Sequence, residues 1–359
     1  MENEVQGAIL NTMPTPEVNR EQYSRIWTDL NQKLKHIEQN DGGFAAALEA
    51  LKSQQLERGF IKDDLHLMRR YRFAHPEDPA RFFLVQYNPV RALRFSGSGR
   101  KTPPAGSSSK FNGCFLCPDN IQWQQAGLEM GYELDVDAMP YIAWMNAYPL
   151  MPLHCVIASS DHIPQAWCVN GAAVECLSIE KILIHLITLS KKLPGYVGFY
   201  NGTGAGASIP SHFHFQFFKR PELWPQFPLE VAARKSGIES HGTINDYPLA
   251  VEYWRGDSEA IVDSIYPWIQ GWLARNRHQL SSISANIIST FDEAQNKSEL
   301  YFVPRHQSQV HSPEMSGIIG GVEVLGEMVF SGEEDGKRLE RGEIDYHTVE
   351  RILSAARFD

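Results

Sequence analysis

Two histidines and a glutamine alternate along the segment 199–220, FYNGTGAGASIPSHFHFQFFKR. If 212–218 is a strand, successive side chains face opposite ways. His212, His214 and Gln216 then share one face, and Phe213, Phe215 and Phe217 the other. The phenylalanines would enter a core while two imidazoles and an amide line a site. Alternate residues lie about 7 Å apart along a strand, which suits groups arrayed along a phosphate chain. The loop ahead carries Gly202, Gly204 and Gly206, where backbone N–H groups can approach phosphate oxygens closely, and Ser208 adds a hydroxyl. A neutral imidazole near its ordinary pKa is a competent nucleophile at neutral pH. One histidine on such a strand is more often simply satisfied in place. Two with a glutamine, beside a glycine loop, favour a site.

A second cluster of chemistry-bearing residues is GCFLCPDN at 113–120. A lone C-x-x-C serves redox chemistry or zinc. A thioredoxin-type motif would open a helix after a strand, and the flanking loop and Pro118 do not suggest that. Zinc takes four ligands, typically thiolates and imidazoles, and the imidazoles at hand are His154, His162 and His212. His154 begins an apolar run at 154–159, which favours a structural role. Asn146 and Asn201 close strands, a position where Asn makes turns as readily as it binds ligands. Arg91, in QYNPVR, offers a bidentate phosphate clamp or is an ordinary surface arginine.

The elements that must position these residues follow from periodicity. Apolar Tyr23, Ile26, Trp27, Leu30, Leu34 and Ile37 predict a helix over 20–40, and a second covers 44–59. The clearest helix is 172–193, stopped by Pro194-Gly195. Further helices are expected at 257–276 and 344–357. Strands are expected at 81–87, 141–146, 154–159, 196–200 and 212–218, then around 284–291 and 299–303. Residues 96–112 read as a polar Gly/Ser/Pro loop carrying Arg100, Lys101 and Lys110. The irregular alternation of helices and antiparallel-looking strands indicates an α+β fold.

Composition narrows the classes. The 359 residues are 43% hydrophobic and 21% charged, ordinary globular usage. Net charge is −10, so a nucleic-acid partner is not expected. No run approaches the roughly 18 apolar residues of a membrane span, and MENEVQGAIL has no signal-peptide pattern. The odd count of five cysteines predicts reduced thiols and a cytoplasmic protein without a membrane partner.

Gly206-Ala207-Ser208 followed by His212-Phe213-His214-Phe215-Gln216 resembles the active-site motif of the histidine-triad superfamily. The resemblance is to the branch with Gln in place of the third His, which includes galactose-1-phosphate uridylyltransferase, diadenosine tetraphosphate phosphorylase and the GDP-hexose phosphorylases. CFLC, Asn-x-Tyr-Pro and Ser-x-Asp-His stand ahead of it in the same order, so the likeness spans about 81–220. It implies two histidine-triad-like lobes with antiparallel sheets flanked by helices. The division expected is a helical extension at 1–80, a motif-bearing half at 81–221 and a second half without the motif at 222–359.

The resemblance also implies roles. His214 would be the nucleophile forming a nucleotidyl-histidine, and Gln216 would hold the phosphoryl oxygen. Cys114, Cys117, His162 and His212 would hold structural zinc. Asn146 and Asn201 would contact ribose or phosphate, and Gly206 and Ser208 would cradle phosphate. Arg91 would meet the phosphate chain, and Arg305, at the end of FVPRH, the acceptor. The expected activity is ping-pong nucleotidyl transfer or phosphorolysis on an NDP-sugar or dinucleoside polyphosphate. Phosphate or a sugar phosphate would be the acceptor, and the enzyme would be a homodimer. Two rivals remain: a nucleotide hydrolase, disfavoured because Gln216 cannot act as a general acid, and an inactive nucleotide-binding protein.

Overall fold

The computed structural model describes residues 19–62, 65–96, 103, 109–168 and 176–358; of Arg94–Ser96 and Trp167–Cys168 only the backbone is described. Most of the polar loop at 96–112, with Arg100 and Lys101, therefore lies outside the described residues, as do 1–18 and the expected helix start at 172–175.

The chain opens with α1 (Arg20–Asn40) and α2 (Gly43–Glu57). Asn19 and Gln22 close a reciprocal capping box that starts α1. Strands β1 (Arg69–Ala74) and β2 (Phe82–Tyr87) follow, then the short α3 (Pro118–Gln124). Next come β3 (Gly131–Val136), β4 (Met139–Met145), β5 (Cys155–Ser159) and the two-residue β6 (Trp167–Cys168) and β7 (Leu177–Ser178). Helix α4 spans Ile179–Lys192, starting later than periodicity suggests. The Ser178 hydroxyl accepts the Lys181 N–H, and Glu180 sits in the first turn and Lys191 and Lys192 in the last, matching the helix dipole.

Strands β8 (Tyr196–Asn201) and β9 (His214–Lys219) form the hairpin that carries the histidines. The rest comprises α5 (Pro228–Lys235), β10 (His241–Thr243), β11 (Glu252–Gly256), α6 (Ser258–Arg275), β12 (Ile283–Asp292) and β13 (Lys297–His306). It ends with β14 (His311–Ser312), β15 (Met315–Ile318), α7 (Gly321–Val324), β16 (Glu327–Phe330), α8 (Glu333–Glu340) and α9 (Tyr346–Ala355).

Nine strands make one antiparallel sheet in the order β10-β11-β13-β12-β8-β9-β5-β4-β3. Strands from 131–219 fill one side and strands from 241–306 the other. They meet where β8 pairs with β12, Asn201 opposite Asn286. The fold is mixed α+β, as expected, with the two sets of strands fused into one continuous sheet. A smaller sheet, β1-β2-β16, joins the two chain ends through a parallel β2–β16 pair.

Alternation along β8 and β9 divides the core. Phe213, Phe215, Phe217 and Tyr200 face one large cluster, packed with Leu34 of α1, Leu48 of α2, Leu186 of α4 and Ile265 of α6. Val197, Phe199 and Phe218 face the opposite cluster, with Leu84 of β2, Met328 of β16 and Ile352 of α9. Gly198 is required here: a Cβ would stand 2.2 Å from the ring of Phe217, its cross-strand partner. The register has little freedom, because a one-residue slip would turn the phenylalanines out of their core and His214 and Gln216 into it.

Cys114, Cys117 and Cys155 are free thiols, but Cys176 is disulfide-bonded, so the expectation of five reduced cysteines does not hold there.

Candidate active site

One cavity of about 150 Å³ gathers most of the expected residues: Arg91, Asn146, Asn201, Gly206, Ser208, His214 and Gln216 all line it. His214 and Gln216 reach it because they point away from the phenylalanine face of β9. The strand begins at His214 instead of 212, and His212 turns elsewhere.

His214 is 3% exposed, and its Nδ1 lies 2.8 Å from the His212 carbonyl oxygen. A carbonyl only accepts, so Nδ1 carries the proton and Nε2 keeps its lone pair. Burial pushes the imidazole pKa down to about 4, which the His212 carbonyl partly opposes. The ring is therefore neutral at neutral pH, the state a nucleophile needs.

Gln165 places that ring, and nothing in the sequence singles it out. Its side chain accepts the His214 N–H at 2.6 Å and donates to the carbonyls of His214 at 2.8 Å and Asn201 at 2.9 Å. The β8–β9 ladder ends at Phe199–Gln216, and the buried amide bridges the two strands just beyond it. A detectable hint would have been a glutamine inside an otherwise loop-like IPQAW, three residues after the Ser-x-Asp-His segment.

The segment 146–154 is pinned from below. Asn146 Oδ1 accepts the Tyr148 N–H, Asn88 donates to the Pro149 carbonyl, and Arg91 donates to the Tyr148 carbonyl at 2.7 Å. His154 is 1% exposed. Its Nδ1 lies 3.2 Å from the Leu150 N and its Nε2 3.0 Å from Gln216 Oε1.

The second half contributes Gly317, Ile318, Gly320, Gly321 and Glu323 to the wall, which sequence reasoning missed because no motif marks them. The Gly320-Gly321 pair was the available signal. Gly206 has φ +96°, and a Cβ there would stand 2.4 Å from Gly320 Cα, so this contact between the halves needs glycine on steric grounds. Gly202 and Gly204 do not line the cavity. Cβ atoms there would meet Ser284 Oγ at 2.4 Å and Gln307 at 2.5 Å, so both serve close packing against the second half instead of a phosphate nest.

Arg305 is not at the cavity surface. It is fully buried and donates to Asn286 Oδ1 at 2.8 Å and to the carbonyls of Ile319 and Gln309. Asn286 in turn donates to Asn201 Oδ1 at 2.8 Å and to the Ala205 carbonyl. The guanidinium thus acts inside the fold, orienting Asn201 through Asn286, where its reach is spent on three fixed acceptors.

Beside the cavity, Cys114, Cys117, His162 and His212 bring their ligand atoms within 4.8 Å of one another. Cys117 Sγ lies 3.2 Å from His162 Nδ1, and His212 Nδ1 lies 3.3 Å from Cys114 Sγ and 3.5 Å from Cys117 Sγ. A tetrahedral zinc with ordinary Zn–S and Zn–N bonds sets such edges at roughly 3.5 Å. His212 Nε2 donates to the Ser159 carbonyl at 2.7 Å, which leaves Nδ1 as the ligand atom, and Phe111 stacks on His162 at 4.1 Å. The hydrogen bond with Cys117 pulls the Cys114 thiol down and pushes the Cys117 thiol up. The donor set fits a metal ion.

Residues 51–219 match a family described as a domain of unknown function, DUF4922. No curated protein matches the chain. Yeast Ap4A phosphorylase Apa2 in complex with AMP superposes with a TM-score of 0.56 at 17% identity, covering 86% of this chain and 97% of that one. Its complex with Ap4A gives a TM-score of 0.56 at 17% identity, with 86% and 98% covered. The chain has the fold of an Ap4A phosphorylase. The superposition agrees with the α+β fold that the ordered motifs imply. An ADP-glucose phosphorylase from Arabidopsis thaliana, with bound ADP-glucose, matches over 80% of this chain and 98% of that one at 17% identity, but its TM-score of 0.32 is too low to bear on the site. Among the described residues no helix is long and apolar enough to cross a membrane.

Proposed function

We propose that the protein transfers a nucleotidyl group through His214, as a nucleotidyltransferase or phosphorylase acting on an NDP-sugar or dinucleoside polyphosphate. The observation that carries this is the Nδ1-protonated, neutral His214 at the wall of a cavity shared with Gln216, Asn146, Asn201 and Ser208. The Nε2 lone pair would attack the α-phosphorus. A P–N bond forms, the P–O bond to the leaving group breaks, and the electron pair leaves on that oxygen. The positive charge gained by the ring is held by the Nδ1–H contact to the His212 carbonyl. In the second step an acceptor phosphate oxygen attacks phosphorus and the P–N bond breaks, returning His214 neutral.

Gln216 carries no titratable proton, so it can hold phosphoryl oxygens but not protonate a leaving group. That suits a phosphate leaving group, which departs as a stable anion, and a phosphate or sugar-phosphate acceptor. We propose zinc at Cys114, Cys117, His162 and His212; bound there it would act as a structural cross-link, anchoring the start of β9 to the CFLC turn. The chain boundaries near 80 and 221 are proposed on the same resemblance: the motif-bearing half supplies the nucleophile, the second half the Gly320-Gly321 wall.

The test is incubation with α-³²P-labelled ADP-, UDP- and GDP-sugars and Ap4A, with and without phosphate. Label that survives denaturation, is acid-labile and is discharged by phosphate is the expected result. Release of mononucleotide at the same rate without an acceptor would assign the site to hydrolysis, and no labelling by any of these would leave the nucleophile role without support.

A further inference from the structure

We propose that His154 is a positioning residue that sets the polarity of the Gln216 side chain, holding its oxygen away from the cavity and its NH₂ toward the phosphoryl oxygens. The inference rests on the proposed function for what the amide meets, but the polarity itself follows from local hydrogen bonding.

A backbone N–H can only donate. Leu150 N stands 3.2 Å from His154 Nδ1, so Nδ1 must be the unprotonated acceptor. A neutral imidazole then carries its single proton on Nε2. That nitrogen is 3.0 Å from Gln216, so the glutamine atom facing it must be the carbonyl oxygen, whichever way an amide might otherwise be turned. Gln216 lines the cavity and His154 does not. With its oxygen engaged behind, the amide presents N–H donors in front. The opposite tautomer would set one N–H against another at Nδ1 and turn an acceptor oxygen toward an anionic substrate. The relay is rigid: His154 is buried, and its carbonyl accepts the Asn146 N–H at 3.0 Å, so one residue orients two parts of the wall.

The test has two arms. Long-range ¹H–¹⁵N spectra of the histidine-labelled full chain, with His154 assigned by loss of its signals in His154→Phe, should show the Nε2–H tautomer at neutral pH. An Nδ1–H tautomer or an imidazolium overturns the proposal. In the kinetic arm the probes are Ap4A and ADP-glucose, each with inorganic phosphate. His154→Phe should lower kcat about 10- to 100-fold, the scale of lost outer-shell support, with KM changed far less. Because His154 acts through Gln216, His154→Phe should add nothing in a Gln216→Ala background, to within about twofold. His154→Gln, which keeps a donor facing Gln216, should recover most of the loss. A His154→Phe effect that persists undiminished without the Gln216 side chain overturns the proposal. A wild-type protein inert to both probes counts against the nucleotidyl-transfer reading, and the tautomer then decides the role of His154 on its own.

Discussion

The proton on His214 has one place to go, because the His212 carbonyl 2.8 Å away accepts it at Nδ1. Replacing this ring removes the proposed nucleophile while the apolar face of β9 stays filled by Phe213, Phe215 and Phe217. His214→Ala should therefore abolish covalent labelling and lower turnover by at least about 10⁴-fold, with a melting temperature near that of the wild type. A variant that still takes up label would move the nucleophile elsewhere. The neighbouring thiols predict a different outcome. If the proposed zinc is bound, Cys114→Ser should lower the zinc found in metal analysis and melt on the order of 5 °C or more lower, and chelation of the wild type should reproduce the shift. Both sets of residues were legible in the sequence, because alternation on a strand and the C-x-x-C spacing are local. Strand alternation alone put His212 on the cavity face, whereas the motif resemblance assigned it to the cysteines; it lies with Cys114, Cys117 and His162 because β9 begins only at His214.

At the scale of elements, the β8–β9 hairpin is splayed at its end by a single side chain. Gln165 satisfies the His214 N–H and the carbonyls of His214 and Asn201 in a buried setting. Gln165→Leu would strand three backbone groups and should cost about 2–4 kcal/mol, read from denaturant midpoints, with turnover falling as His214 loses its support. Wild-type stability in that variant would mean that water or a shifted strand takes over the amide's role. Helix positions were readable because amphipathic spacing and capping residues are written locally, as Asn19 and Gln22 show for α1. Helix α4 starts at Ile179 because Ser178 caps it, a stop that apolar spacing alone overruns. Gln165 was not readable, since its partners lie 36 and 49 residues away.

Across the whole molecule, distant segments close the site. Glu327 of β16 is fully buried and pairs with Arg70 of β1 at 2.6 Å, and Gln86 of β2 donates to it. Val329 of the same strand lines the cavity. Burial raises the Glu327 carboxyl above its ordinary value, and the Arg70 hydrogen bonds and charge oppose the rise. A carboxyl raised in the folded state contributes stability that is fully present below the unfolded value and is lost as pH rises through the folded one. Arg70→Met removes the opposing charge and raises the carboxyl further. The variant's deficit against wild type should be smallest near about pH 4 and grow to about 3–5 kcal/mol near neutral pH, measured by urea midpoints. A deficit that shrinks as pH rises would contradict the pairing.

Sequence alone determined the α+β class, the main helices and strands, and the residues of the first half that meet at the cavity: Asn146, Asn201, Gly206, Ser208, His214 and Gln216. Strand alternation and the glycine loop, which act over a few residues, pointed to Gly206, Ser208, His214 and Gln216, while Asn146 and Asn201 came in through the motif resemblance. Tertiary structure alone decided that the strands fuse into one nine-stranded sheet, that Arg305 works inside the fold, and that Gly320-Gly321 walls the site. The joined sheet and the glycine wall depend on contacts between residues far apart in the chain, as between Asn201 and Asn286 or Gly206 and Gly320, while Arg305 meets acceptors 4, 14 and 19 residues away. Which of two buried polar groups finds which partner is settled only when the sheet has brought both out of water.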